Sequence, residues 1–128
     1  MDKRIIMIAA LAGALAVGIG AFGAHGLEET LQRNGRVDTF ETAVKYHFYH
    51  VLAMLLIGVV LKAGGNKHNK LLYFAAYAML TGIVFFSGSL YVLSLTNITF
   101  LGAITPLGGI FFIAGWLMLF WAMKKTRG

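Results

Sequence analysis

Apolar, uncharged positions gather in four runs: Ile5 to Ala24, about Tyr46 to Leu61, Leu71 to Leu95, and about Leu101 to Met123. None contains Asp, Glu, Lys or Arg. A hydrocarbon layer about 30 Å thick is crossed by about 20 helical residues, so each run reads as one membrane span. The expected fold is all-α, an integral-membrane four-helix bundle forming a single domain over residues 1–128. Membrane-spanning strands would alternate apolar and polar residues over segments of about ten, and no such alternation occurs. The connection from His25 to Lys45 is the longest and mixes charged with apolar residues. Asp38 followed by Glu41 fits a helix start, with Asp38 as N-cap and Glu41 near the positive end of the dipole. The second half of this loop is therefore expected to be helical and to run on into the second span. Leu27, Leu31, Val37 and Phe40 would let it lie on the membrane surface or over the bundle mouth. Gly64-Gly65-Asn66 marks a tight turn between the second and third spans.

Asp2-Lys3-Arg4 before an apolar stretch ending in small residues resembles a secretory signal. The run of about 20 residues exceeds a signal core of about 7 to 15, so the segment is read as a permanent helix. Eight of the eleven Lys and Arg residues fall on one side of the four spans, namely Lys3, Arg4, Lys62, Lys67, Lys70, Lys124, Lys125 and Arg127. Arg33, Arg36 and Lys45 occupy the other side among four carboxylates, and the connection at Thr96 and Asn97 is uncharged. The positive-inside rule then places both termini in the cytoplasm. So strong a bias speaks against insertion in both orientations, and the first span lacks the carboxylate that small dual-topology drug exporters need.

Composition sharpens this picture. Hydrophobic residues make up 59% of the chain and charged ones 12%, against about 25% charged in soluble domains. The absence of cysteine excludes disulfides, thiolate metal sites and dithiol relays. The net charge of +6 sits between spans rather than on one soluble face, so it fits topology and anionic headgroups and not nucleic acid. The expected surroundings are the lipid bilayer, with a second copy or another membrane protein as partner.

Candidate chemistry is sparse. Gly18-Ile19-Gly20-Ala21-Phe22-Gly23 spells a dinucleotide fingerprint, yet that motif needs a strand before it, and here it lies inside an apolar helical run. Small residues for close helix approach are the better reading, at Gly18, Gly20 and Gly23 and also at Gly82, Gly102 and Gly109. His25, His47 and His50 are the most suggestive residues, because imidazole titrates near neutrality and binds metals. His47 and His50 share a helix face with Tyr46 beside them and Glu41 above, and His25 ends the first span on the same side. Their convergence would allow a metal ion or a proton relay. The simpler alternative is that these rings seek the interface and hydrogen-bond locally. Ser87, Ser89 and Tyr91 put hydroxyls inside the third span, either lining a polar cavity or bonding back to their own helix. Thr105-Pro106 requires the fourth helix to kink or to begin there, with Phe100 to Ile104 as a short entry segment. Trp116 and Trp121 read as interface anchors, and His68 as solvated in a lysine-rich loop. No residue is assigned a catalytic role, no cofactor is required, and metal binding is left open.

Four blocks carry a family resemblance: Gly20-Ala21-Phe22-Gly23-Ala24-His25-Gly26-Leu27, Glu41 through His50, Phe86-Ser87-Gly88-Ser89-Leu90-Tyr91, and Leu101 through Gly109. Together they resemble the YgdD-like family, also called domain of unknown function 423, to which human transmembrane protein 256 is related. The resemblance implies a small four-helix protein of the bacterial inner membrane with no established activity, and it carries no catalytic residues over. The expected function is that of an accessory or interaction protein of the plasma membrane. The alternative is a channel or transporter for protons, ions or a small solute that uses the His cluster near the external face.

Overall fold

The computed structural model describes residues 2–64 and 70–125, all of whose regular elements are helical. Helix α1 runs from Asp2 to His25, α2 from Glu28 to Asn34 and α3 from Val37 to Ala63. Helix α4 (Lys70–Gly82) passes through a π-helical turn, Ile83–Ser87, into α5 (Gly88–Thr96). A 3₁₀ segment, Thr99–Ala103, leads into α6 (Thr105–Lys125). Four continuous helical stretches are long and apolar enough to cross a membrane: Lys3–His25, Val37–Ala63, Lys70–Thr96 and Thr99–Lys125.

Span three is continuous but not uniform, because the π turn inserts an i to i−5 step that leaves α5 rotated relative to α4. The fourth α-helix begins at Thr105 with Pro106 in its first turn, where a missing N–H costs nothing. The 3₁₀ segment occupies the place expected of the entry stretch. Helix α3 starts at Val37 with Arg36 in the cap position and no side-chain cap bond, so Asp38 lies inside the first turn and not at the N-cap. There it still faces the positive end of the dipole. The first half of the long loop is helical as well: α2 ends at Gly35, whose left-handed φ of 67° suits glycine, and Arg36 N–H closes back onto the Leu31 carbonyl at 2.9 Å. Of the expected turn after α3, Gly64 is described; Gly65, Asn66, Lys67 and His68 lie outside the described residues, as does Arg127.

Burial follows a central pair. Helix α1 packs along α3, and α6 packs along α4 and the π turn, while α3 and the α4–α5 span meet in the middle. Three apolar layers stack through the bundle. At the terminal end Ile5, Met54, Ile57, Leu61, Met79 and Ala122 are fully or almost fully buried. Ala12, Val51, Ile83 and Phe112 fill the middle, and Ala43, Leu90 and Leu93 the opposite end. The outer helices turn Leu11, Leu15, Ile113, Leu117 and Phe120 outward. In water these would be a liability, and in a bilayer they are the lipid-facing surface.

Close helix approach depends on particular glycines. A Cβ on Gly108 would lie 2.7 Å from the Phe86 Cα, so α6 rests directly against the backbone of the π turn. A Cβ on Gly58 would lie 2.7 Å from Ile6, and one on Gly115 3.0 Å from the Met79 sulfur. Among the glycines expected to pack, Gly20 faces Val44, Gly23 faces the Phe40 ring and Gly82 faces the Phe112 ring. Gly18 and Gly102 have nothing within 4 Å of a Cβ, and Gly109 only the Phe86 ring edge at 4.0 Å. The packing role assigned to Gly18 and Gly102 is therefore corrected within this chain: one faces outward from α1 and the other sits in the exposed 3₁₀ segment.

Candidate functional site

The polar side chains buried in the spans belong mainly to α3 and to the segment from Ser87 to Ser94. His47 and His50 are both buried, at 4% and 5% exposure. Three residues along an α-helix turn the side-chain direction by about 60°, and that offset sends the two rings to different neighbours. His47 Nδ1 lies 2.7 Å from the Tyr91 hydroxyl on α5. Either the Tyr91 hydroxyl or the ring N–H can be the donor, according to the tautomer. This contact ties α3 to α5.

His50 faces α6. The Trp116 indole N–H donates to its Nε2 at 3.1 Å, and its Nδ1 donates to the Tyr46 carbonyl one turn back at 2.7 Å. Indole is a donor only and a carbonyl an acceptor only, so the ring is held as the Nδ1–H tautomer with both nitrogens engaged. Phe112 stacks on the imidazole with centroids 3.5 Å apart and planes 9° from parallel. Tyr46, itself partly exposed, stacks on Phe86 at 4.7 Å and flanks His50 at 5.9 Å. Trp116 lies eleven residues into α6, about 16 Å from its start. It therefore serves as a mid-membrane clip to α3 and not as the expected interface anchor. Trp121, with Lys124 5.0 Å above its ring, sits near the helix end.

The hydroxyls follow the same logic. Ser87, fully buried in the π turn, donates to the Ala43 carbonyl of α3 at 2.7 Å. Ser89 meets the Thr105 hydroxyl at 2.7 Å and also reaches the Phe86 carbonyl at 3.0 Å, joining α5 to the first turn of α6 beside Pro106. Ser94 bonds back to Leu90. At the loop end, Asn34 donates to the carbonyls of Ser94 and Leu95, and Arg36 Nε to Asn97 Oδ1 at 2.9 Å, pinning α2 across the bundle mouth.

The expected convergence of three imidazoles does not occur. His25 is exposed at the end of α1, while His47 and His50 diverge into separate buried contacts. Among the described residues no group of three or more His, Asp or Glu side chains is placed to hold a metal ion. Glu41 is exposed on α3 and lines a cleft with Lys45 and Glu28, away from both buried rings. Sequence reasoning assigns no site role to Phe112, Asn34, Arg36 or Gly108, and it reads Trp116 as an interface anchor. A tryptophan at the centre of a span, where an interface anchor has no place, was the one usable signal.

Comparison with known proteins adds a family but no activity. Residues 19–109 match the family model described as "Protein of unknown function (DUF423)". The chain is 50% identical over 126 residues to a UPF0382 membrane protein of Staphylococcus haemolyticus, covering 98% of this chain and 99% of the relative. It is 44% identical to the UPF0382 membrane protein YwdK of Bacillus subtilis, covering 96% and 98%. No solved structure matches.

Proposed function

Starting from the fact that this chain belongs to the DUF423 family of multi-pass membrane proteins, we propose that it is an accessory or interaction protein of the bacterial plasma membrane whose buried histidines and hydroxyls fasten helices together. One observation carries this reading: His47, His50, Tyr91, Ser87, Ser89 and Thr105 are each hydrogen-bonded within the chain, most of them to another helix. A proton or ion path needs polar groups that face a water-filled route and exchange partners. These groups instead close on carbonyls, an indole and each other. What the protein offers its surroundings is the outward apolar surface of α1 and α6, which suits a second copy or another membrane protein.

Two experiments test this. Proteoliposomes loaded with a pH-sensitive dye and given a potassium-driven potential should leak protons no faster than protein-free vesicles. A His47→Ala, His50→Ala double variant should leave the leak unchanged while lowering the unfolding midpoint in detergent. Protein-dependent flux that the double variant abolishes would overturn the reading in favour of transport. A photo-crosslinking residue at the outward positions Leu15 or Phe120 should give a discrete adduct in native membranes, and its absence at both would remove the interaction role.

A further inference from the structure

Lys3, Arg4, Met7, Ile8 and Leu11 line a groove of about 390 Å³ at the start of α1, within the range of about 300–1,000 Å³ typical of small-molecule sites. All five stand on one helix, so their order in depth is their order in sequence, at about 1.5 Å per residue. Lys3 and Arg4 precede Ile5, where the uncharged run begins, and so lie at the level where hydrocarbon gives way to headgroups. Met7 and Ile8 follow one turn deeper on the same face, and Leu11 one turn deeper again. The groove thus runs between two ridges, Lys3 with Met7 and Arg4 with Ile8, and Leu11 closes its deep end. Leu11 also lines the adjoining hollow over Ala14 and Gly18. From Arg4 to Ala14 is about 15 Å, half of the roughly 30 Å hydrocarbon layer and so the depth of one leaflet. Among the described residues no carboxylate lines the groove.

Charge selects the occupant. A second copy meeting this face about a two-fold axis along the membrane normal would set its own Lys3 and Arg4 against these, four like charges at one level. A phosphate instead gives both cations an opposite charge, and the guanidinium fork of Arg4 matches two of its oxygens. We propose that this groove binds an anionic phospholipid of the phosphatidylglycerol type, with the phosphate between Lys3 and Arg4 and one acyl chain along Met7 and Leu11 toward Ala14. A glycerol headgroup leaves the phosphate charge to these two residues. Ethanolamine and choline headgroups bring a cation of their own beside them. The site is separate from the buried histidines and stands or falls independently of the interaction role.

The test is native mass spectrometry of the purified full-length protein released from detergent micelles, with dioleoyl phosphatidylglycerol, phosphatidylethanolamine or phosphatidylcholine added at equal concentration. A Lys or Arg near an anionic lipid surface is worth about fivefold in binding, so one phosphatidylglycerol should persist at roughly 25-fold lower lipid concentration than either zwitterionic lipid. Lys3→Gln and Arg4→Gln should each weaken it about fivefold, and the double variant should erase its lead. Lys62→Gln and Lys125→Gln, which remove cations from the ends of α3 and α6, should leave that lead intact. Ala14→Trp, at an exposed position in the path of the chain, should weaken all three lipids. All five substitutions are at exposed sites, so the unfolding midpoint in detergent should stay near that of the parent. Equal binding of the three lipids would mean annular lipid only and overturn the site. A lead that Lys62→Gln or Lys125→Gln lowers as much as Arg4→Gln does would mean diffuse attraction to the basic end of the bundle and overturn the groove. A lipid-free dimer that Ala14→Trp splits would give the face to a second copy and overturn it as well.

Discussion

Replacing Gly108 by alanine adds one methyl group at the closest approach between two spans. The new Cβ would stand 2.6 Å from the Phe86 Cβ and 2.7 Å from its Cα, whereas carbon atoms pack best at about 3.5–4.0 Å. Phe86 cannot turn aside, because the obstructing atoms include its own backbone within the π turn. Helix α6 must therefore back away by about 1 Å, loosening the Ser89–Thr105 contact one turn earlier. Overpacking of this kind costs about 1–3 kcal/mol. For a chain of this length that is a fall in midpoint of roughly 4–12 °C. Gly115→Ala meets a movable methionine sulfur at 3.0 Å and should lose less, and Gly18→Ala, with nothing within 4 Å, should be unchanged or slightly stabilised. Thermal unfolding in detergent followed by tryptophan fluorescence gives the three midpoints. A Gly108→Ala midpoint within about 2 °C of Gly18→Ala would refute the close approach, since even the low end of the overpacking range exceeds that interval.

Trp116→Phe keeps a ring on α6 but removes the donor to His50, and Tyr91→Phe removes the hydroxyl that meets His47; each should lower stability by about 0.6 kcal/mol and by no more than about 1.7 kcal/mol, as hydrogen bonds between membrane helices do. In the combined variant the two losses should add to within about 0.5 kcal/mol because the pairs share no partner, and strong coupling in chemical unfolding would contradict separate clips. Asn34→Ala should release α2 from the end of α5, seen as faster hydrogen exchange of the α2 amides with the spans unaffected, and unchanged exchange would remove the pinning role. Because the chain contains no cysteine, single cysteines report topology without background. The positive-inside rule predicts cytoplasmic termini, so an impermeant maleimide should label Thr96→Cys from outside intact cells and Lys125→Cys only after permeabilisation, and the reverse pattern would invert the orientation.

The four spans were legible because crossing a bilayer demands long uncharged runs, and chains satisfy that demand openly. Their ends were less so. Helix α3 starts nine residues before the uncharged run does, since Asp38, Glu41 and Lys45 are tolerated on a helix that has already reached the headgroups. Helix α2 is too short at seven residues to show a period, and its position rests on Asn34 and Arg36 reaching residues about 60 further along. The histidines were legible as important and illegible in role, because spacing fixes the angle between two side chains and says nothing of which helix stands opposite. Gly108 and Gly109 illustrate the same limit. They are adjacent in sequence and about 100° apart around α6, and only the former meets the neighbouring backbone.

The partners of the buried histidines also have an order in time. Tyr91 follows His47 by 44 residues, and Trp116 follows His50 by 66. During synthesis the His50 Nε2 enters the bilayer with no donor and waits until most of α6 has been made. Helix α6 thus completes a bond that α3 leaves open 66 residues earlier. A ribosome halted before Trp116 leaves the His50 Nε2 without its donor, while Nδ1 keeps the Tyr46 carbonyl.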